Sequence, residues 1–223
     1  MEIKLLGVCG SPIKGGNTEL YLGEALKTAH GLGNVTTEML SLAGKQIGDC
    51  RHCNWCLTRQ EEGNFCALKD DMSDLYPRIL EADAILLATP AYAARLSGYM
   101  ATFIDRFRCL VLGKHYKRSL QGKVGGALAV SWFRNAGIET TLLSVISSLL
   151  MWGVIVVSPG EDGCQFGAAG LSTEHGTGKF DPKDKHGVLK DEIGLKSARN
   201  LARRTVEIAC TLKTGRDPQQ QSL

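Results

Sequence analysis

The chain has no long apolar run. Nowhere in its 223 residues does a stretch approach the roughly 20 apolar residues that a membrane-crossing helix needs, so no spanning helix is expected. It also lacks an excess of either charge. Its 26 Lys and Arg stand against 23 Asp and Glu, a formal net charge of +3, and no long basic run occurs. That balance gives no footing for nucleic-acid binding. Neither G-x-x-x-x-G-K-[ST] nor G-x-G-x-x-G is present, which removes the ATP-type and dinucleotide fingerprints. A signal-peptide layout is absent too. Met1-Glu2-Ile3-Lys4-Leu5-Leu6 passes straight into a strand-like run, and the expected location is the cytoplasm.

Cysteine is plentiful for that compartment, where disulfides are rare. Of the 8 cysteines, Cys50, Cys53 and Cys56 fall in two consecutive C-x-x-C steps, and Cys66 follows. Cys9, Cys109, Cys164 and Cys210 are scattered singly. A disulfide framework does not crowd three thiols at i, i+3 and i+6, so the pattern favours metal. Three thiols in one tight turn with a fourth to close them suit an iron–sulfur cluster. Zinc with four thiolates is the alternative, and a metal-free loop of reactive thiols the third reading. Cys9, Cys109 and Cys210 are read as packing residues. Cys164 is a weaker candidate for facing substrate, and His175 and His186 are read as solvated.

Short apolar runs alternate with helical periodicity. Strands are expected at Lys4–Cys9, Val35–Leu40, Ala84–Ala88, Val124–Val130 and Val154–Val157. Helices are expected from Asn17, its possible N-cap, and over Asp70–Glu81, Tyr99–Cys109, Ile138–Trp152 and Glu192–Leu212. Residues 160–187 are Gly-rich, polar and aperiodic, which reads as a long loop of the kind that forms lids or substrate walls. Five strands alternating with five helices imply an α/β fold with a doubly wound parallel sheet. In the flavodoxin-like order 2-1-3-4-5, ligands sit beyond the carboxyl ends of the strands, where the order reverses. One domain over 1–213 is expected, with a cysteine-rich insertion at 48–69 after the second strand and a disordered tail at 214–223.

Three loops would meet at that crevice. Gly10-Ser11-Pro12-Ile13-Lys14-Gly15-Gly16-Asn17-Thr18 offers backbone amides and hydroxyls at a helix start, a setting suited to phosphate or to a plain capped turn. Thr89-Pro90-Ala91-Tyr92-Ala93-Ala94-Arg95 brings a flat ring and a charge. Ser131-Trp132-Phe133-Arg134-Asn135-Ala136-Gly137 brings polar groups beside Trp and Gly. No side chain demands a general acid or base role, so no catalytic residue is assigned.

The ordered set Gly10-Ser11-Pro12, Gly15-Gly16-Asn17-Thr18, Asp70-Asp71-Met72, Thr89-Pro90-Ala91-Tyr92 and Phe103-Ile104-Asp105-Arg106 resembles the NAD(P)H-dependent FMN reductase superfamily. With the cysteine loop after the second strand, the chain resembles the iron–sulfur flavoproteins of archaea and anaerobic bacteria. The resemblance implies that Ser11, Pro12, Lys14, Asn17 and Thr18 hold the FMN phosphate. It places Pro90, Ala91, Tyr92 and Arg95 along the isoalloxazine ring, with Ser131, Trp132, Asn135 and Gly137 approaching from the fourth-strand loop. Cys50, Cys53, Cys56 and Cys66 would bind a [4Fe–4S] cluster, although the gap before Cys66 is longer than the family usually has. The implied function is an oxidoreductase passing electrons between cluster and FMN, to or from a small acceptor. Ferredoxin or NAD(P)H would be the donor, in a homodimer or homotetramer. The alternatives are an NAD(P)H-dependent FMN or quinone reductase with structural zinc, and a non-enzymatic carrier between proteins.

Overall fold

The computed structural model describes residues 1–160, 165–179 and 181–215. Its core is a parallel sheet built from β1 (Ile3–Cys9), β2 (Val35–Ser41), β3 (Ala84–Tyr92), β5 (Val124–Ser131) and β6 (Ile155–Val156), in the order β2-β1-β3-β5-β6. This is the expected 2-1-3-4-5 arrangement in the numbering of the observed strands. The central strands are apolar on both faces because helices cover both. All eight residues of β5 are buried, as are the first seven of β3.

One face carries α1 (Asn17–His30) and the C-terminal α7 (Glu192–Gly215), over a core of Leu5, Tyr21, Leu22, Leu86, Leu128 and Leu201. Tyr21 is fully enclosed, and its hydroxyl donates to the Gly194 carbonyl at the start of α7 at 2.7 Å. Arg199 Nε pairs with Glu24 Oε1 at 2.7 Å and joins the same two helices again. The other face carries α3 (Met72–Glu81), α4 (Gly98–Asp105), α5 (Arg108–Val111) and α6 (Ile138–Met151), with α2 (Trp55–Thr58) inside the cysteine loop. Its core includes Tyr76, Phe103, Phe107, Leu142 and Trp152, with Phe107 stacked on Trp152 at 4.0 Å.

The sheet departs from expectation in several places. The fifth sheet position is shared. β6 pairs only with the start of β5, at Val124 and Gly125. A further strand, β7 (Ala168–Leu171), pairs in parallel with its end, from Leu128 to Ser131. So the aperiodic 160–187 segment contains a strand. Its Ala-Ala-Gly-Leu composition has weak strand preference, but small residues are what the site admits. A Cβ on Gly170 would stand 3.1 Å from the Tyr21 ring.

β3 also runs on through Tyr92, so Pro90, Ala91 and Tyr92 lie on the strand rather than in a loop. It then turns back into β4 (Arg95–Leu96). The expected helix from Tyr99 to Cys109 breaks at Arg106-Phe107 into α4 and α5. Pro77 sits inside α3. Gly16 caps α1 and Asn17 is its first helical residue. Thr214 and Gly215, expected in the tail, complete α7, and residues 216–223 lie outside the described residues. Cys164 lies outside them as well.

Tyr21→Phe keeps the ring and deletes the donor, leaving the Gly194 carbonyl short of its partner. A loss of about 1 kcal/mol is expected. Urea unfolding checks it, with an unchanged slope and a lower midpoint.

Candidate functional site

The loops after β1, β3 and β5 meet at the carboxyl end of the sheet through specific bonds. Gly10 N–H donates to the Ala88 carbonyl at 2.8 Å. Ser97, buried at the start of α4, binds three elements at once. Its hydroxyl donates to the Gly10 carbonyl and accepts from Met100 N–H, while its own N–H donates to Thr89 Oγ1. The β1 loop is thereby pinned to the β3 segment.

Within the β1 loop, Ser11 Oγ accepts from Ile13 N–H at 3.1 Å, and Ser11 is 4% exposed. Pro12 is half-buried, Lys14 exposed and Thr18 buried. Gly15 takes the left-handed conformation at φ +67°, and its N–H donates to the Glu19 carboxylate. That carboxylate is an internal stand-in for an anion, and it shows that the loop presents an amide to negative charge at the start of α1. Asn17 reaches the far end of the chain. Its Nδ2 donates to the Lys185 carbonyl at 2.9 Å, and its Oδ1 accepts from Val188 N–H at 3.0 Å. Both ends of its amide hold the 185–188 segment against α1.

On the ring side, Tyr92 and Arg95 pair across a two-residue hairpin whose central residues are Ala93 and Ala94. Both alanines are left-handed, at φ 49° and 62°. Gly or Asn normally occupies such a turn. It is buttressed by the β5 loop. Gly137, at φ +78°, lies so close that an added Cβ would stand 2.5 Å from Ala94 Cα. Thr140 Oγ1 donates to the Ala94 carbonyl at 2.8 Å. Pro90 is buried, Ala91 half-buried, and Tyr92 is 45% exposed. Trp132 is 49% exposed, Ser131 is buried, and Asn135 and Arg95 are exposed. Two flat rings, Tyr92 and Trp132, therefore stand open on neighbouring strand ends. The residues named from sequence on these three loops are brought to one edge.

Sequence reasoning missed what packs beside them. Thr173 Oγ1 donates to the Trp132 carbonyl at 2.6 Å, Ser172 N–H to the Ser131 carbonyl at 2.9 Å, and Arg134 Nε–H to the His175 carbonyl at 2.9 Å. A cavity of about 390 Å³ opens between Asn17, Trp132 and this segment. The short run Ala168–Leu171, ending in Ser172-Thr173, was the available signal, because a strand there delivers Thr173 to the same edge.

The cysteine loop is anchored at both ends by one side chain. Arg106 is 2% exposed. Its Nη1 donates to the Gly48 carbonyl at 2.8 Å and to Asp70 Oδ2 at 2.5 Å, and its Nη2 donates to Asp70 Oδ1 at 3.2 Å. Asp70 in turn accepts from Gly48 N–H and Met72 N–H. Burial alone would raise the Asp70 carboxyl, but the Arg106 and Gly48 hydrogen bonds outweigh it and hold the group below the ordinary carboxylate range.

Inside the loop, His52 and Asn54, either side of Cys53, are left-handed at φ 51° and 60°. Gln60 is 2% exposed and fully bonded. Its Nε2 donates to the Phe65 and Cys109 carbonyls, and its Oε1 accepts from His115 and Tyr116 N–H. Phe65 stacks against Tyr76 at 4.9 Å and Tyr116 at 4.4 Å, which fixes the residue preceding Cys66.

The four thiols are free. Cys56 is buried, Cys50 and Cys66 are half-buried, and Cys53 is exposed. Burial raises the Cys56 thiol, Arg108 opposes the shift, and Cys66, Cys50 and Cys53 add to it. Among the described residues, no three His, Cys, Asp or Glu groups are drawn together tightly enough to hold a metal ion. In number and chemistry the thiols suit a thiolate-bound cluster. Cys109, read as packing, is buried beside this loop. Burial pushes its thiol up to about 12, and it donates to the Arg106 carbonyl at 3.2 Å.

Gly137→Ala adds a Cβ both to a left-handed residue and against the Ala94 backbone. It is expected to cost more than the ~1 kcal/mol of the conformational penalty alone. Denaturant unfolding reads the loss. For Asp70, a depressed carboxyl contributes stability above the unfolded value of about 3.9, and that stability is lost as pH falls through the lower folded value. Asp70→Asn should remove this acid limb. Unfolding midpoints between about pH 5 and pH 2.5 should then fall less steeply in the variant than in the wild type.

Comparison with known proteins agrees with this arrangement. The profile of the NADPH-dependent FMN reductase family matches residues 3–162. An iron-sulfur flavoprotein of Methanocaldococcus jannaschii is 35% identical over 211 residues, covering 95% of this chain and 100% of the relative. Among solved structures, RosB with a bound 8-demethyl-8-formylriboflavin-5'-phosphate intermediate superposes with a TM-score of 0.71 at 17% identity, covering 96% of this chain and 81% of that one. A flavodoxin, WrbA-like protein from Agrobacterium tumefaciens gives 0.57 at 16% identity, covering 97% and 100%. The folds agree, the sheet is flavodoxin-like, and the chain, an FMN-dependent oxidoreductase, belongs to the iron-sulfur flavoproteins within the NADPH-dependent FMN reductase family.

Proposed function

We propose that this oxidoreductase holds FMN at the carboxyl edge of its sheet and a [4Fe–4S] cluster on Cys50, Cys53, Cys56 and Cys66, and exchanges electrons with a small organic acceptor or donor. The reading is supported by the presence of four free cysteines, Cys50, Cys53, Cys56 and Cys66, in one loop pinned at both ends. When bound, FMN supplies one- or two-electron chemistry and the cluster one-electron chemistry.

The chain's own residues do the placing. The phosphate is assigned to the loop after β1, where the Gly15 amide already meets a carboxylate, Ser11 and Thr18 are buried and Lys14 is exposed. Asn17 serves that position indirectly, by holding the 185–188 segment beside it. Tyr92 and Trp132 offer flat apolar surface to a ring, and Gly137 lets the hairpin approach. Pro90 and Ala91 present strand-end backbone to the ring, while Arg95 and Asn135 stand exposed at the rim.

Ferredoxin or NAD(P)H is the proposed donor. A homodimer or homotetramer is the proposed assembly, supported by the outward face of α6. That face shows Leu143, Leu150 and Met151 at 42%, 59% and 66% exposure, and Glu139 is the helix's one charged residue.

Anaerobic purification followed by iron, sulfide, zinc and flavin analysis tests the reading. About four irons and four sulfides with about one FMN per chain are expected for a cubane on four cysteines. FMN with zinc and no iron would overturn the cluster assignment. Cys53→Ala should strip iron and leave FMN bound, and simultaneous loss of flavin would count against two separable sites.

A further inference from the structure

Arg106 has one nitrogen that the clamp does not use. Its two terminal nitrogens are bonded to Gly48 and Asp70, but its Nε–H is enclosed and finds no acceptor among the described residues. An enclosed donor without a partner is costly and requires an explanation. The surroundings supply one. The Arg106 carbonyl accepts from the Tyr76 hydroxyl at 3.0 Å and the Cys109 thiol at 3.2 Å. Phe65, which precedes Cys66, stacks on that same Tyr76 ring at 4.9 Å. Gln60 fixes Phe65, the residue before Cys66, and the carbonyl of Cys109 with one amide group. The spare donor thus sits in the knot that delivers Cys66.

Resting on the cluster reading above, we propose that Arg106 is a positioning and tuning residue for the cluster. Its Nε–H is reserved for sulfur on the Cys66 side, and its charge stabilises the reduced form. Hydrogen bonds to the sulfurs and net local charge are among the terms that set such a potential. Asp70 is the counter-weight. It orients the guanidinium and at the same time cancels part of its charge.

This assignment makes two variants of one clamp behave oppositely. Arg106→Gln removes the cation and the Nε donor, so the cluster potential should fall. The expected size is about a tenfold drop in the reduced-to-oxidised ratio at the wild-type midpoint, or about 59 mV for one electron. Asp70→Asn removes the cancelling charge and leaves Arg106 in place, so the potential should rise. Arg106→Lys keeps the charge without the Nε fork and should fall by less than Arg106→Gln. If Arg106→Gln does not fold, Arg106→Lys against Asp70→Asn carries the same comparison.

The measurement is an anaerobic redox titration of the cluster in the full-length holoprotein, followed by electron paramagnetic resonance, with iron and flavin counted for each variant. Shifts of opposite sign at unchanged iron and FMN support the assignment. Shifts of the same sign, no shift, or equal iron loss in both variants would show a purely structural clamp and overturn it while leaving the cluster reading intact. A wild-type protein without iron would sink both.

Discussion

A buried guanidinium closes a loop that has little core of its own. Residues 48–70 leave the sheet after β2 and return at α3, and apart from the four residues of α2 they contain no regular helix or strand. Arg106 grips the carbonyl of Gly48 at one end and the carboxylate of Asp70 at the other. The position of the guanidinium is itself fixed, because the α4–α5 break that carries it is bound by the Tyr76 hydroxyl. Removing one partner of such a pair leaves the other charge enclosed, a loss of about 3–5 kcal/mol where it has been measured. Everything between the grips then has defined endpoints. The left-handed residues around Cys53 reverse the chain, Gln60 bonds it to the 109–116 segment, and the Phe65 stack seats the approach to Cys66.

The flavin side is organised on a different principle. There the strand ends do the positioning, and short hydrogen bonds between consecutive loops keep them in register. Ser97 ties β1 to β3, and Gly137 with Thr140 ties the β3 hairpin to α6. Two alanines in the left-handed region cost roughly 1–2 kcal/mol each. They persist because the Gly137 side of the turn leaves one way to pack. Strain of this kind, held by surrounding structure, is characteristic of ligand-binding turns.

Sequence made the sheet order, the helix alternation and the three converging loops legible, because those features are written in local periodicity and in Gly-, Ser- and Pro-marked punctuation. What it did not show were contacts without a local signature. Asn17 looked like a cap, yet its amide is used by residues 185 and 188, a partnership set only when α7 docks beside α1. Tyr92 looked like a loop residue because the apolar run ends at Ala88, but the strand continues and Pro90 pairs at the end of β3, where a missing donor is tolerated. β7 was hidden by its small residues, of which Gly170 faces the Tyr21 ring too closely for a Cβ to be added freely. The four cysteines were plain in the sequence, whereas Arg106 appeared only as part of a motif. Its role depends on a helix break that periodicity does not reveal.

The shared fifth position of the sheet has a consequence of its own. A long, flat border strand exposes a row of unpaired amides and carbonyls on which another chain can grow. Among the described residues, that border consists of a two-residue and a four-residue piece. Neither piece is long enough to template a ladder. The shortness of the two pieces therefore limits edge-to-edge pairing on this side of the sheet, whose opposite edge is the seven-residue β2.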